Sequence, residues 1–269
     1  MPWWADFDWG ATESGVPSVP DSYLTTFAGT MPPRYRVLFD PRTIRKHSAV
    51  SFRRAHRPAH VEVWRTLADG SAALCVVADD RPGLLSAIAA ALVSHRLDVI
   101  TALVFSRSKG PPRTVGGDPA EAAHDEAVDL VWVRRADPAD AAVIDEDEAA
   151  SIGQVLSAIL SGHISVEEIA SRNAAAPPSG ENVVVVRCDE VDDEGLAGLF
   201  VAAPDRPGML LTITHEVFQQ GAQIVRSLVR TAGGRAFNHF ELSEFSGAPL
   251  SAERRDQIRA AVYEALTLR

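Results

Sequence analysis

The sequence predicts an α+β protein made of two like halves. Three observations carry this. The run Asp80-Arg81-Pro82-Gly83-Leu84-Leu85 returns as Asp205-Arg206-Pro207-Gly208-Met209-Leu210, at an offset of 125 residues (205 − 80 = 125). The match continues without a gap, Cys75-Val76-Val77-Ala78 aligning with Phe200-Val201-Ala202-Ala203 and Leu103-Val104 with Leu228-Val229. In both copies a strand-like apolar run gives way to helical spacing at the same point. One supersecondary unit is therefore present twice.

The elements follow in order. Residues 1–33, rich in Trp, Gly, Pro, Ser and Asp without a period, read as a loosely ordered arm; residues 34–60 form a basic connecting segment in which eight Arg and Lys are opposed only by Asp40. The first unit spans 61–172. Val61–Arg65 alternates as a half-buried strand, Asp69-Gly70 turns the chain, and Ala72–Val77 is a more apolar strand. Leu84, Leu85, Ile88, Leu92 and Val93 form one helical stripe. Asp98–Arg107 reads as a strand with Val99, Thr101, Leu103 and Phe105 on one face. The segment 108–126 is an insertion of Gly, Pro, Ala and charge, read as a loop or flap, before a strand at Val128–Arg134. The acids Asp145–Glu148 start a helix, where the macrodipole favours them over a metal-binding role, and Ser165 with Glu168 makes a capping box.

A linker at 173–182 leads to the second unit, 183–269: strands Val183–Cys188 and Leu196–Ala203, helix Gly208–Gln220, strands Ala222–Thr231 and Arg235–Glu244 joined at Ala232-Gly233-Gly234, and helix Ser251–Leu268. In each unit the fourth strand has to come from before the motif. The content is that of a ferredoxin-like sandwich, a four-stranded antiparallel sheet with two helices on one face.

Composition excludes several classes. A net charge of −10 opposes nucleic acid and anionic membrane surfaces. No apolar run reaches the length of a membrane span, and no signal peptide is apparent. Cys75 and Cys188 both fall in predicted strands, so a disulfide framework is not indicated and a reducing cytoplasm is the expected compartment. Arg235–Phe240 faintly resembles an aromatic RNA platform, but Phe237 and Phe240 cannot share a strand face at that spacing.

The chemistry sits in the duplicated strand-to-helix corner. Asp80 is expected to be the helix N-cap and Pro82 to occupy the first turn, while Gly83 lets a ligand approach the backbone. The N–H groups of Gly83, Leu84 and Leu85 are then expected to face a carboxylate and the cap carboxylate an ammonium group, the two halves of an α-amino acid. Asp205, Gly208, Met209 and Leu210 repeat the inventory. The competing reading is that Asp, Pro and Gly serve only to fold a capped helix. A corner plugged by neighbouring side chains would oppose ligand binding.

These features resemble the ACT domain, a regulatory module that commonly binds amino acids at this corner. More closely, they resemble the tandem ACT region at the C-terminus of the bifunctional uridylyltransferase/uridylyl-removing enzymes of the PII signal protein, which sense glutamine; the resemblance covers about 33–269. It implies that the start of the strand after the helix forms the other pocket wall: Asp98, Val99 and Ile100 in the first copy, Gln223, Ile224 and Val225 in the second. Both corners could work with different ligands, or only the second could bind. The Gly-Ser turn with an Asp-x-Asp pair needed for nucleotidyl transfer is missing, and His124-Asp125 is the only His-Asp pair. The resemblance thus implies a cytoplasmic, non-catalytic amino-acid sensor with neither cofactor nor metal, in nitrogen metabolism. The alternatives are a ligand-free module pairing with a protein partner or a second copy, or an enzyme relative that has lost catalysis.

Overall fold

A computed structural model describes residues 18–108, 125–173 and 183–267. Residues 1–17 of the expected arm, most of the 108–126 insertion and linker residues 174–182 lie outside them. Eight helices and nine strands are formed among the described residues. The first three helices are α1 (Asp21–Thr30), α2 (Pro33–Leu38) and α3 (Pro41–Arg54). Prolines open α2 and α3, where a missing N–H costs nothing, and Asp40 caps α3 by accepting from the Thr43 N–H at 2.8 Å. The end of the expected arm is thus helical, with Phe27 and Met31 buried rather than loosely ordered.

The first unit holds β1 (Ala59–Thr66), β2 (Ala72–Asp79), α4 (Leu84–Ser94), β3 (Leu97–Leu103), β4 (Ser106–Arg107), β5 (Glu126–Arg135), α5 (Glu146–Leu160) and α6 (Val166–Arg172). The second holds β6 (Val185–Val191), β7 (Ala197–Pro204), α7 (Met209–Gln219), β8 (Ala222–Ala232), β9 (Arg235–Glu244) and α8 (Ala252–Thr267). Asp145 caps α5 and Ser165 caps α6, each accepting from an N–H three residues on.

The strands do not form two separate sheets as expected. They form one antiparallel sheet in the order β1-β2-β5-β3-β8-β9-β7-β6, with β4 beside β5. The order reads the same from either end once repeat equivalents are exchanged. At its centre Leu103 pairs with Leu228, its own equivalent, so the halves meet about an approximate two-fold axis. Taken alone, the first half would end on β1 and β3 and the second on β8 and β6, and joining β3 to β8 removes one edge from each.

The expected single face for Val99, Thr101, Leu103 and Phe105 is also corrected. A bulge between Val99 and Thr101 breaks the alternation, putting Val99 and Ala102 under the helices and Ile100, Leu103 and Phe105 on the opposite side. The second unit repeats the bulge between Ile224 and Arg226. The strand stops at Leu103 because the Phe105 N–H turns to the Asp129 side chain at 3.3 Å.

Helices α4, α5, α7 and α8 share one core with one face of the sheet. The other face of the first unit is covered by α1–α3, whose Phe27, Tyr35, Phe39 and Val50 pack on Cys75, Val77, Leu130 and Trp132. Covered on both faces, β2 is apolar without alternation from Ala72 to Ala78. In the second unit the positions equivalent to Cys75, Leu130 and Trp132 are Phe200, His239 and Glu241, the last two polar, on a face no described helix covers. No helix of the described residues is long and apolar enough to cross a membrane. Cys75 is buried and Cys188 half-buried, both as free thiols.

Candidate functional site

Both corners are built alike, and not as the motif alone suggests. The N-caps are Gly83 and Gly208, with φ of 81° and 79°, a left-handed conformation that glycine adopts without steric cost. Asp80 and Asp205 are therefore not caps; they stand three residues earlier, where the strand ends. The Leu84 N–H donates to the Arg81 carbonyl (3.1 Å) and the Met209 N–H to that of Arg206 (3.3 Å), so neither amide faces outward. The N–H groups of Leu85 and Leu210 make no hydrogen bond among the described residues and remain for an anion. The motif arginines serve the fold: Arg81 donates to the Leu160 carbonyl and Arg206 to that of Leu266 at 2.7 Å, each placing a cation at the negative end of α5 or α8.

At the first corner a narrow cleft runs between the halves. Asp80, Gly83, Leu84, Leu85 and Ser86 form one wall; Thr214, Val217 and Phe218 of α7 with Ala222, Ile224 and Val225 form the other. Its volume is about 460 Å³ counting the open mouth, but the interior holds little more than a water molecule. The Phe218 ring lies 2.8 Å from where a Cβ on Gly83 would stand, so the corner is covered in this state. The Ser86 hydroxyl lines the cleft, buried and without a hydrogen-bond partner. Asp129, fully buried on β5, closes the base. Burial, and then the charge of Asp80, push its carboxyl well above the usual range. Asp80 is raised by burial and by Asp125, against a lowering hydrogen bond from Ser106.

The second corner differs. Arg134 Nη2 lies 2.6 Å from Asp205 Oδ2 and 2.8 Å from Asp98 Oδ2, a bridge between the halves. Burial and then Asp205 raise the Asp98 carboxyl, against lowering by Arg134. Gly208 lies on a shallow surface cleft with Arg96, Leu97 and Asn173. Met209 and Leu210 are core residues.

The expected pocket walls are thus exchanged between the repeats. Ile224 and Val225 stand with Asp80–Leu85, and Asp98 stands with Asp205. Gln223 is not in the cleft, because its amide donates to the Ser243 hydroxyl at 3.1 Å. Val99 is a core residue and Ile100 lies on the far face, both displaced by the bulge. Reading the motif missed Ser86, Asp129, Phe218 and Arg134. Asp129 alone left a trace, an acid interrupting the apolar run Ala127–Val133.

No family model matches the chain, and no solved structure matches it. It is similar to bifunctional uridylyltransferase/uridylyl-removing enzymes. Identity is 27% over 218 residues with that of Nitrobacter hamburgensis, covering 78% of this chain and 21% of the enzyme. It is 27% over 256 residues with that of Bradyrhizobium sp. strain BTAi1, covering 92% and 25%. With that of Rhodopseudomonas palustris it is 26% over 201 residues, covering 72% and 19%. The chain therefore spans only about a fifth to a quarter of the length of these relatives. Among the described residues no group of three or more His, Cys, Asp or Glu is placed to hold a metal ion.

Proposed function

We propose that this chain is a non-catalytic regulatory module, a side-by-side pair of ACT-type units, that binds a small amino acid in the seam between them. The single observation carrying this is the cleft in which the α4 N-terminus and the Asp80 carboxylate of one repeat face Ile224 and Val225 of the other. The free Leu85 N–H and the Ser86 hydroxyl suit a carboxylate, and Asp80 suits an ammonium. Seating a ligand requires the Phe218 ring to leave Gly83, and because Phe218 belongs to the opposite repeat, occupancy would alter how the halves meet. That movement is the regulatory output, acting in the cytoplasm on a partner protein. Similarity to part of the uridylyltransferase/uridylyl-removing enzymes supports a regulatory role related to theirs, with glutamine a first candidate ligand.

A specific observation favours a second reading, a pairing module with no ligand: Phe218 already fills the corner. Calorimetric titration of the whole chain with each of the twenty amino acids separates the two. Saturable binding of at least one supports the sensor; twenty flat titrations leave the pairing module.

A further inference from the structure

The two corners carry the same motif but not the same charge balance. At the second corner the Arg134 guanidinium lies between the two carboxylates, 2.6 Å from Asp205 and 2.8 Å from Asp98. Both acids are largely buried, with side chains 11% and 10% exposed. At the first corner the residues equivalent to Asp98 and Arg134, by sequence offset and by the register Asp98↔Arg134 and Gln223↔Ser243, are the uncharged Gln223 and Ser243, hydrogen-bonded to each other. No cation among the described residues pairs with Asp80. Arg81, the one basic residue among the described residues lining that cleft, is turned to the Leu160 carbonyl. Asp129 adds a second carboxyl group at the base, and the buried Ser86 hydroxyl is unpartnered. At the second corner the counterpart of Asp129 is the neutral Asn238, whose buried amide is without a partner among the described residues.

We propose that Arg134 occupies the position a ligand's ammonium would take at the second corner, so that the chain holds one ligand, at the first corner, with its ammonium on Asp80. The ligand is an α-amino acid with a neutral or basic side chain, because among the described residues two carboxyl groups and no unpaired cation line that cleft, so that a second carboxylate is rejected there. This rests on the amino-acid-binding reading above, but the claim about Arg134 does not depend on which ligand binds.

Two measurements on the whole chain test it. In calorimetric titrations with glutamine, serine, lysine, glutamate and aspartate, the expected result is one equivalent bound for a neutral or basic probe and none for the acidic ones. Asp80→Asn should weaken binding by roughly tenfold or more, as loss of a charge-assisted hydrogen bond does, while Asp205→Asn leaves it within about twofold. Two equivalents, binding of the acidic probes, or loss in Asp205→Asn with retention in Asp80→Asn overturns the assignment. Flat titrations with all twenty amino acids remove the amino-acid reading itself, and the second measurement then decides the role of Arg134. Arg134→Ala should unfold at a lower temperature, and millimolar methylguanidinium should restore it saturably. Wild type and Arg134→Ala/Asp205→Asn should not respond. Absence of saturable rescue, or equal rescue in the double variant, refutes occupancy by Arg134.

Discussion

The Phe218 ring stands 2.8 Å from where a Cβ on Gly83 would be, with Gly83 held at a φ of 81°. Gly83→Ala meets two separate costs, a left-handed backbone and a clash with a ring from the other repeat. It should lower stability by about 1–3 kcal/mol. In a Phe218→Ala background the clash is gone and only the backbone part remains. Urea unfolding of the four proteins in a double-mutant cycle measures this. An equal cost of Gly83→Ala in both backgrounds would show that the contact across the seam has no energetic weight.

Asp129 and Asn238 occupy one position in the two repeats, and the difference between them has a predictable sign. An unfolded Asp ionises near 3.9. In the folded chain burial and Asp80 raise the Asp129 carboxyl, while Phe105 and the more distant Arg34 oppose the rise. As pH rises above about 4 the unfolded state loses the proton first, so the folded state loses stability until the folded pKa is passed. Asp129→Asn removes this loss and still accepts from the Phe105 N–H. It should be more stable than wild type at pH 7, by about 1.4 kcal/mol per unit of displacement, with the gain vanishing toward pH 3–4. Asn238→Asp should move stability the opposite way. Thermal melts across pH 3–8 decide the point, and a destabilised Asp129→Asn at pH 7 would contradict it.

The duplication made the element order legible, because a gapless offset repeats strand, corner and helix with their apolar spacing. It could not place the walls of the corner. The wall facing Asp80 comes from β8, and the partner of Asp205 from β3 and β5, so the exchange depends on how the halves join. That join is set by the Leu103–Leu228 pairing, which no local pattern encodes. The bulges at Val99–Thr101 and Ile224–Arg226 were equally hidden, since a bulge moves side chains between faces without changing composition. The outer layer of α1–α3 did leave a signal. Ala72–Ala78 is apolar without alternation, as a strand covered on both faces must be, whereas the second unit puts Phe200, His239 and Glu241 where that cover is missing. Such a run asks for a second covering layer, and Tyr35, Phe39 and Val50 supply it.

That outer layer has its own pH signature. His47 is fully buried between Tyr35, Phe39 and Trp64, with Tyr35 Oη 2.7 Å from its Nδ1. Burial is the main cause that lowers its pKa to about 3, with Lys46 adding to the fall and Asp40 opposing it. An unfolded His takes a proton near 6.5. Stability is therefore fully present above pH 6.5 and is lost as pH falls from there toward 3, by about 1.4 kcal/mol per unit from this residue. His47→Gln should show a shallower decline over the same window in urea unfolding. Identical slopes for the two proteins would rule out His47 as the source.

Glu126 fastens α3 and the end of β4 to the sheet through a buried cluster. Its carboxylate lies 3.1 Å from Arg54 Nη1 and 2.7 Å from Arg107 Nε, and accepts from the Ser51 hydroxyl at 2.6 Å. Tyr23 in α1 reaches the same hydroxyl at 2.6 Å, and the Arg107 guanidinium rests on the Tyr23 and Phe27 rings. Arg54 keeps a second anion, Asp79, at 2.8 Å, but Arg107 has no other carboxylate among the described residues. Glu126→Gln keeps the shape and an acceptor for Ser51 while leaving Arg107 buried with its charge uncompensated by any described residue. Breaking a buried pair from one side costs about 3–5 kcal/mol, more than the pair itself contributes over an apolar replacement. Because the lost contacts belong to the outer layer, α1 and α3 should loosen before the shared helical core. Hydrogen exchange should accelerate first at Val50 and Ser51 and last in α4 and α7. A loss of stability below about 1 kcal/mol, or uniform acceleration across the chain, would mean that the layer is held by its apolar contacts alone.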